Sequence, residues 1–215
     1  MTGHETIRWR LGVGQRRPSN GSLRAAHCRL QLCSLVLAGL LSLAAASAAR
    51  AQAPPSVEYQ VKAAFLVSFA NFIEWPSGTF QNDKAPLNFC VFRHDPFGST
   101  LDDVIRGKTI NDREVLARRI MELPDLKSCQ IIFVSNVEDK HLSEVVSSLL
   151  GTSALVVGES ENFAERGGGV QFFLDANKVR FAVNVDATQR ARLKVSSKLL
   201  ALARIVHDRD ISKGN

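Results

Sequence analysis

The stretch CQIIFVS, residues 129–135, is an almost unbroken apolar run in the second half of the chain. Such a run is typical of a central strand in a parallel sheet, because helices cover both faces of that sheet. Two further apolar runs, LNFCVF at 87–92 and ALVVGE at 154–159, stand before and after it, with room for a helix between successive strands. This alternation predicts a single α/β domain with a mostly parallel sheet and flanking helices.

Working outward, REVLARRI at 113–120 is a further candidate strand, and helices are predicted for 97–105, for 138–151 and for a short segment from Ser160. Asp95 before Pro96 is typical of a helix start. Near the end, VQFFL and VRFAVNV are joined by DANK, a turn-forming sequence, which predicts an antiparallel C-terminal hairpin.

Helices are also predicted at both ends of this domain. In residues 57–76 the apolar side chains Val61, Phe65, Phe69 and Phe72 recur with helical period, and Pro76 ends the pattern. The other faces of this segment are apolar too, so it is either a core helix or a helix that packs partly on a partner subunit. In residues 186–208 a second stripe predicts a buried C-terminal helix; its members are Val195, Leu199, Leu202 and Val206.

The glycine run at 167–169 raises the question of a phosphate-binding loop. In nucleotide-binding folds the glycines lie between a strand and the helix that follows it. Here the predicted order is helix, glycines, strand, so we expect the glycines to end a helix and lead into the hairpin.

The first 51 residues have the pattern of a secretory signal peptide. Basic residues precede a charge-free run at 34–49, and small residues follow it, with cleavage expected after Ala51. A membrane anchor is the alternative, although spanning needs about 20 apolar residues and this run is shorter. The expected organisation is a signal peptide at 1–51, a linker at 52–56, the α/β domain at 57–207 and a tail at 208–215.

Charge is concentrated in the leader. Seven of the 27 Lys and Arg residues precede residue 52, but of the 21 Asp and Glu residues only Glu5 does. The remaining chain is close to neutral, and the pI of 9.4 describes mostly the leader. A nucleic-acid interface requires a basic face, so we do not expect nucleic acid as a partner.

Cys90 and Cys129 are the two cysteines beyond the leader, and an even pair in an exported protein favours a disulfide. The alternative is a pair of buried thiols. Two distant cysteines with three scattered histidines do not form a metal-ligand pattern, and no cofactor motif is present in the mature chain.

His94 and Asp95 follow the first strand of the predicted parallel sheet, where open α/β sheets bind ligands, so they are the candidate ligand crevice. A catalytic role for them is the weaker interpretation, since Asp95 is explained as a cap.

Taken together, the segments resemble the YfiR family of periplasmic proteins, over about residues 57–206. Six pieces occur in the family's order and spacing: VKAAFLVSFANFIEWP, CVFRHDPFG, LKSCQIIFVS, FAERGGGVQFF, VRFAVNV and LKVSSKLLALA. The resemblance implies an α/β fold that forms homodimers, with no known enzymatic activity and no catalytic residues. It also implies a periplasmic repressor that binds the periplasmic domain of an inner-membrane diguanylate cyclase, or a similar sensor, and an outer-membrane lipoprotein that can sequester the repressor.

The same resemblance implies that Cys90 and Cys129 form the family's stabilising disulfide, which responds to reducing stress. The sequence departs from the family at two places: a second cysteine pair around the glycines is missing, and Ala182 stands where a glutamate is often found. Phe181, Ala182 and Asn184 are the candidate partner surface on the predicted hairpin.

The alternative function is a periplasmic protein that binds a small molecule or peptide and feeds a membrane sensor or receptor. A hydrolase built around His94 is a third hypothesis.

Overall fold

The computed structural model describes residues 57–209, which contain a large mixed sheet with helices on both faces. Within these residues the strands are β1 (Ile73–Glu74), β2 (Leu87–Phe92), β3 (Thr109–Ile110), β4 (Arg113–Ile120), β5 (Ile131–Val134), β6 (Leu155–Gly158), β7 (Val170–Asp175), β8 (Lys178–Asn184), β9 (Lys194–Val195) and β10 (Arg204–Val206). The helices are α1 (Val57–Asn71), α2 (Ser99–Ile105), α3 (Leu142–Ser148), α4 (Val185–Arg190) and α5 (Ser197–Leu200). Short 3-10 helices at Leu123–Ser128 and Asn136–His141 precede β5 and α3.

The predicted fold class is confirmed. In the described part of the chain eight strands form one sheet in the order β10-β8-β7-β6-β5-β2-β4-β3, and β1 pairs with β9 in a separate antiparallel ribbon. Five neighbouring strands are parallel to one another: β4, β2, β5, β6 and β7. At the two sides of this group, β8 is antiparallel to β7, and β3 is antiparallel to β4. The signal peptide and linker predicted for residues 1–56 lie outside the described residues, as does most of the tail.

Successive residues of the central strands enter two different hydrophobic cores, because side chains alternate across a strand. In β5, Ile131 and Phe133 face the core under α1 and α2, whereas Ile132 and Val134 face the core under α3. All four side chains are buried. This explains why the strand is a continuous apolar run instead of an alternating one.

The predicted helix at 97–105 begins at Ser99, and Asp95 caps the turn before it by accepting a hydrogen bond from the Phe97 amide at 2.8 Å. The short helix expected from Ser160 does not form. The segment consists of turns, because Asn162 has the left-handed φ of 55° and interrupts any helical path.

The prediction of one buried C-terminal helix over 186–208 is wrong. Arg192 adopts a left-handed φ of 57° and ends α4, and the chain then forms β9, α5 and β10. The Ser196 side chain caps α5 by accepting a hydrogen bond from the Lys198 amide at 3.2 Å. Leu202, a member of the predicted stripe, is 72% exposed. Strand pairing with β1 and β8 therefore outweighs the helical period of the sequence.

The glycine run leads into the predicted hairpin of β7 and β8, and it also accommodates an aromatic ring. Gly167 has a φ of +102°, which suits glycine. A Cβ atom on Gly168 would lie 2.3 Å from the Phe163 ring, and one on Gly158 would lie 2.2 Å from the same ring. Phe163 is fully buried, so the two glycines make the space in which its ring packs.

Replacing Gly168 with alanine is therefore expected to lower the free energy of unfolding by about 1–3 kcal/mol, the usual cost of overpacking a core. Urea unfolding followed by far-UV circular dichroism measures this change. Adding Phe163→Leu replaces the clashing ring with a smaller side chain, so the double variant should lose less stability than the sum of the two single variants. Strict additivity would contradict the packing explanation.

Candidate functional site

The outward face of α1 carries apolar side chains that the rest of the described chain leaves uncovered, beside the exposed polar residues Gln60 and Asn71. We use the name α1 stripe for Val57 and Val61 of α1 together with Phe72, the residue that directly follows the helix; they are 74%, 38% and 36% exposed. Ala64 lies between them and is also exposed. Surface helices of globular proteins normally present polar residues to solvent, so an apolar outer face is typical of an interaction surface.

The inward face of the same helix fixes α1 on the sheet. Its buried residues are Lys62, Ala63, Leu66, Phe69 and Ala70. Phe69 packs against Phe172 of β7 and Phe181 of β8, with ring centroids 5.7 and 5.1 Å apart. The predicted stripe of α1 matches this inward face at Phe69 and at the half-buried Phe65, whose ring also packs on Phe172 and Phe181, but not at Val61 and Phe72. A helix that is apolar all round does not reveal from its period which side is inward.

Lys62 is the exception in this buried face, since its side chain is only 5% exposed and carries a charge. Its ammonium group donates to Glu58, one turn earlier on α1, and to Glu159 Oε2 at 2.5 Å. The side chain of Glu159 is 8% exposed, so the Lys62–Glu159 pair is removed from water. Sequence reasoning missed this cluster; the available signal was a glutamate four residues before a lysine, a spacing that brings the two side chains together on a helix.

Glu159 is the centre of the cluster because it lies immediately after β6, at the carboxyl edge of the parallel strands. Its Oε1 accepts hydrogen bonds from the Tyr59 hydroxyl and from the Asn136 amide, both at 3.1 Å. Asn136 is the second residue after β5, at the same edge of the sheet. Burial and the negative charge of Glu159 raise the pKa of the Tyr59 hydroxyl, which therefore stays a protonated donor.

A groove of about 470 Å³ lies beside this cluster. It runs between the start of α1 and β7, at the edge of the sheet where open α/β folds bind ligands. Glu58 of the groove and Val61 of the α1 stripe are three residues apart on α1, a spacing that places their side chains side by side, so the groove borders the N-terminal part of the stripe.

Cys90 and Cys129 form a disulfide, with their Cα atoms 5.9 Å apart. The bridge links β2 to the segment just before β5, in the core under α3. Both residues are buried, with 1% and 3% of their surface exposed. This confirms the predicted pairing and excludes the alternative of two free thiols in this structure.

A family model described as YfiR/HmsC-like matches residues 59–204, more than half of the chain. The chain belongs to the YfiR/HmsC-like family. Membership suggests a periplasmic regulator of diguanylate cyclase signalling, and it confirms the resemblance read from the sequence motifs. The YfiR/HmsC-like match includes α1 from Tyr59, the disulfide and the hairpin.

Among solved structures, the chain is similar to the ABC domain in complex with L-Trp from Streptococcus pneumonia, with 10% identity and a TM-score of 0.46. The similarity covers 69% of this chain and 60% of that one. A likeness at this level carries no argument about function.

In this YfiR/HmsC-like chain, His94 and Asp95 are not brought together as a site. His94 is exposed, and within residues 57–209 it has no hydrogen bond to Asp95. Asp95 is already bonded to the Phe97 amide and to Arg119 Nε, both at 2.8 Å. Arg119 also binds Asp102 of α2, and this hydrogen bond lowers the pKa of the Asp102 carboxyl group. The arrangement ties α2 to β4, which is a structural role.

Phe181, Ala182 and Asn184 are buried and do not form a partner surface, contrary to the sequence expectation. β10 pairs with β8 from Ala182 to Asn184 and makes β8 an interior strand. On the two faces of β8, the Phe181 ring packs under α1 against Phe69, and the Asn184 side chain is enclosed by the segment at Ala164. Asn184 has a structural role: its Oδ1 caps α4, and its Nδ2 donates to the Ala164 carbonyl and to Asp208. A C-terminal strand was not predicted, so sequence reasoning placed these residues at the edge of the sheet.

No helix in residues 57–209 has the length and apolar character needed to cross a membrane.

Proposed function

We propose that this protein is a periplasmic, non-enzymatic repressor that binds the periplasmic domain of an inner-membrane diguanylate cyclase and thereby lowers cyclic di-GMP. Membership of the YfiR/HmsC-like family supports this function. The observation that carries the docking part of the proposal is the α1 stripe, an apolar helix face exposed on a rigidly held helix.

The packing of α1 favours its use as a docking platform. Leu66 and Phe69 anchor its middle, and the Lys62–Glu159 pair anchors its first turns on the carboxyl edge of the sheet. A helix that is already ordered loses little conformational entropy when a partner binds to it. An exposed apolar face on such a helix supplies the kind of surface on which a partner's apolar residues become buried.

Removing the apolar side chains of the stripe is expected to abolish repression without unfolding the protein. In a strain that carries Val57→Gln, Val61→Gln and Phe72→Gln, cyclic di-GMP and biofilm should rise to the level of a gene deletion. Glutamine removes apolar surface without adding charge, so the groove beside α1 keeps its electrostatics. Cyclic di-GMP measured by mass spectrometry, with circular dichroism of the purified variant, checks this result.

A matched control is available elsewhere on the surface. Met121 and Leu150 are 58% and 73% exposed and lie outside α1, so Met121→Gln with Leu150→Gln should leave repression at the wild-type level. Wild-type repression by the stripe variant, or loss of repression by the control variant, would refute the assignment of this surface.

We further propose that repression responds to redox conditions through the Cys90–Cys129 bridge. The burial of both sulfur-bearing residues supports a response that requires opening of the core under α3, because a reductant must reach the bridge. Homodimer formation and sequestration by an outer-membrane lipoprotein are part of the same proposal, and both rest on family membership.

A further inference from the structure

The groove beside α1 combines carboxylates with an apolar wall. The lining residues that matter are Glu58, Tyr59, Glu159, Glu161, Phe172 and Leu174. Glu58 and Tyr59 come from α1, the next two glutamates follow β6, and the last two residues belong to β7. Three elements of the fold therefore contribute to one concave surface.

The charge of the groove is negative. Three glutamates line it, and Lys62 is the basic residue among the lining residues. The Lys62 ammonium group is bonded to Glu58 and Glu159 and offsets one of the three negative charges, so the lining keeps a net negative charge. Glu161 is exposed, and its carboxylate forms no ion pair within residues 57–209. The groove should therefore repel phosphates and carboxylates and attract cations.

The apolar wall distinguishes this groove from a simple group of carboxylates. Phe172 and Leu174 line it; Phe172 is only 1% exposed, so Leu174, at 55%, is the apolar side chain that a ligand would contact. On the α1 side of the groove, the Tyr59 ring has the Lys62 ammonium group 4.6 Å from its centroid, which is a cation–π contact. Lysine and arginine have long apolar stems and a charged end, so their side chains match a surface of this composition.

We infer that the groove binds a basic side chain, arginine above all, of the protein that docks on the α1 stripe. This inference rests on the proposed function and names the partner's chemistry at the same surface. Val61 of the stripe lies three residues after Glu58 of the groove, a spacing that places the two side chains side by side on α1, so a partner that covers Val61 also comes within reach of the groove. Arginine fits best because its planar guanidinium group can bind a carboxylate through two parallel hydrogen bonds.

The first test uses the purified protein and capped peptides, without the cyclase. Ac-Gly-Arg-Gly-amide is titrated into the ¹⁵N-labelled protein, and Ac-Gly-citrulline-Gly-amide serves as the neutral isostere. The arginine peptide should shift the amide signals of Glu159, Glu161 and Leu174 at concentrations at which the citrulline peptide does not. Glu161→Gln should weaken binding at least threefold, whereas Glu114→Gln, an exposed change on β4 outside the groove, should leave it unchanged.

Equal binding of both peptides, or shifts that map outside the groove, would overturn the inference. Binding of free arginine as tightly as the capped peptide would instead make the groove a small-molecule site, which also overturns it.

The second test separates this inference from the proposed function. Cyclic di-GMP is measured in strains that carry either Glu58→Gln with Glu161→Gln or the stripe variant. Both variants should lose repression if the groove binds a partner side chain. Loss of repression in the stripe variant alone would reject the groove as a partner contact and leave the docking proposal intact. If neither variant loses repression, the docking proposal and the partner contact both fail.

Discussion

Removing the disulfide is expected to cost this protein about 3–4 kcal/mol of unfolding free energy, a large part of the stability of a domain of this size. The bridge spans 39 residues, so its loss frees a long loop in the unfolded chain. In the folded chain it connects β2 with the entry to β5, two neighbouring strands at the centre of the sheet. The variant Cys90→Ala with Cys129→Ala should therefore show a much lower midpoint in urea unfolding.

A reductant provides the control for this prediction. Wild-type protein unfolded in dithiothreitol should have the same low midpoint as the double alanine variant, whereas the reductant should not change the variant itself. Because both cysteines are buried, folded wild-type protein should be reduced slowly. Rapid reduction of the folded protein, or equal midpoints of wild type and variant without reductant, would contradict this account.

The parallel part of the sheet could be predicted because its sequence signal is local. Strands buried on both faces must be continuous apolar runs, and β2, β5 and β6 lie within the runs identified at 87–92, 129–135 and 154–159. The hairpin of β7 and β8 was predictable for the same reason. Its turn residues Ala176 and Asn177 have φ of 47° and 60°, a conformation that asparagine tolerates.

The C-terminal segment could not be predicted because its structure depends on distant partners. The sequence around Lys194 and Ile205 has helical period, but the first pairs with β1 and the second with β8. The pairing with β10 makes β8 an interior strand, and the elements packed on its two faces bury Phe181, Ala182 and Asn184. Because β10 was not predicted, the hairpin was expected at the edge of the sheet, and its residues were therefore assigned to the partner surface.

The candidate site was missed for a related reason. Glu159 lies 97 residues from Lys62 in sequence, and only the fold brings their side chains together. The exposed face of α1 could not be distinguished from its buried face, because both faces are apolar. From the sequence, α1 was either a core helix or a helix that packs partly on a partner subunit. The exposure of Val57 and Val61 favours the second alternative.

Lys62→Met is expected to lower the free energy of unfolding by about 3 kcal/mol, because it leaves the Glu159 carboxylate buried without its cation. The Tyr59 hydroxyl and the Asn136 amide still donate to Glu159, but neither neutralises the charge. Methionine fills a similar volume, so the loss reports the missing charge and not a cavity. Urea unfolding measures the change.

Two further variants test whether charge burial is the cause. Lys62→Met with Glu159→Gln removes both charges, and glutamine keeps an acceptor oxygen for Tyr59, so this double variant should recover most of the lost stability. Glu58→Gln removes the other partner of Lys62. Because the Glu58 side chain is 36% exposed, this change should lower the free energy of unfolding by only about 0.5 kcal/mol. A double variant that is no more stable than Lys62→Met, or a Glu58→Gln variant that is equally unstable, would show that the buried Lys62–Glu159 pair does not fix α1 on the sheet. The α1 stripe would then lose its rigid support, and with it the physical argument that this face is ordered before a partner binds.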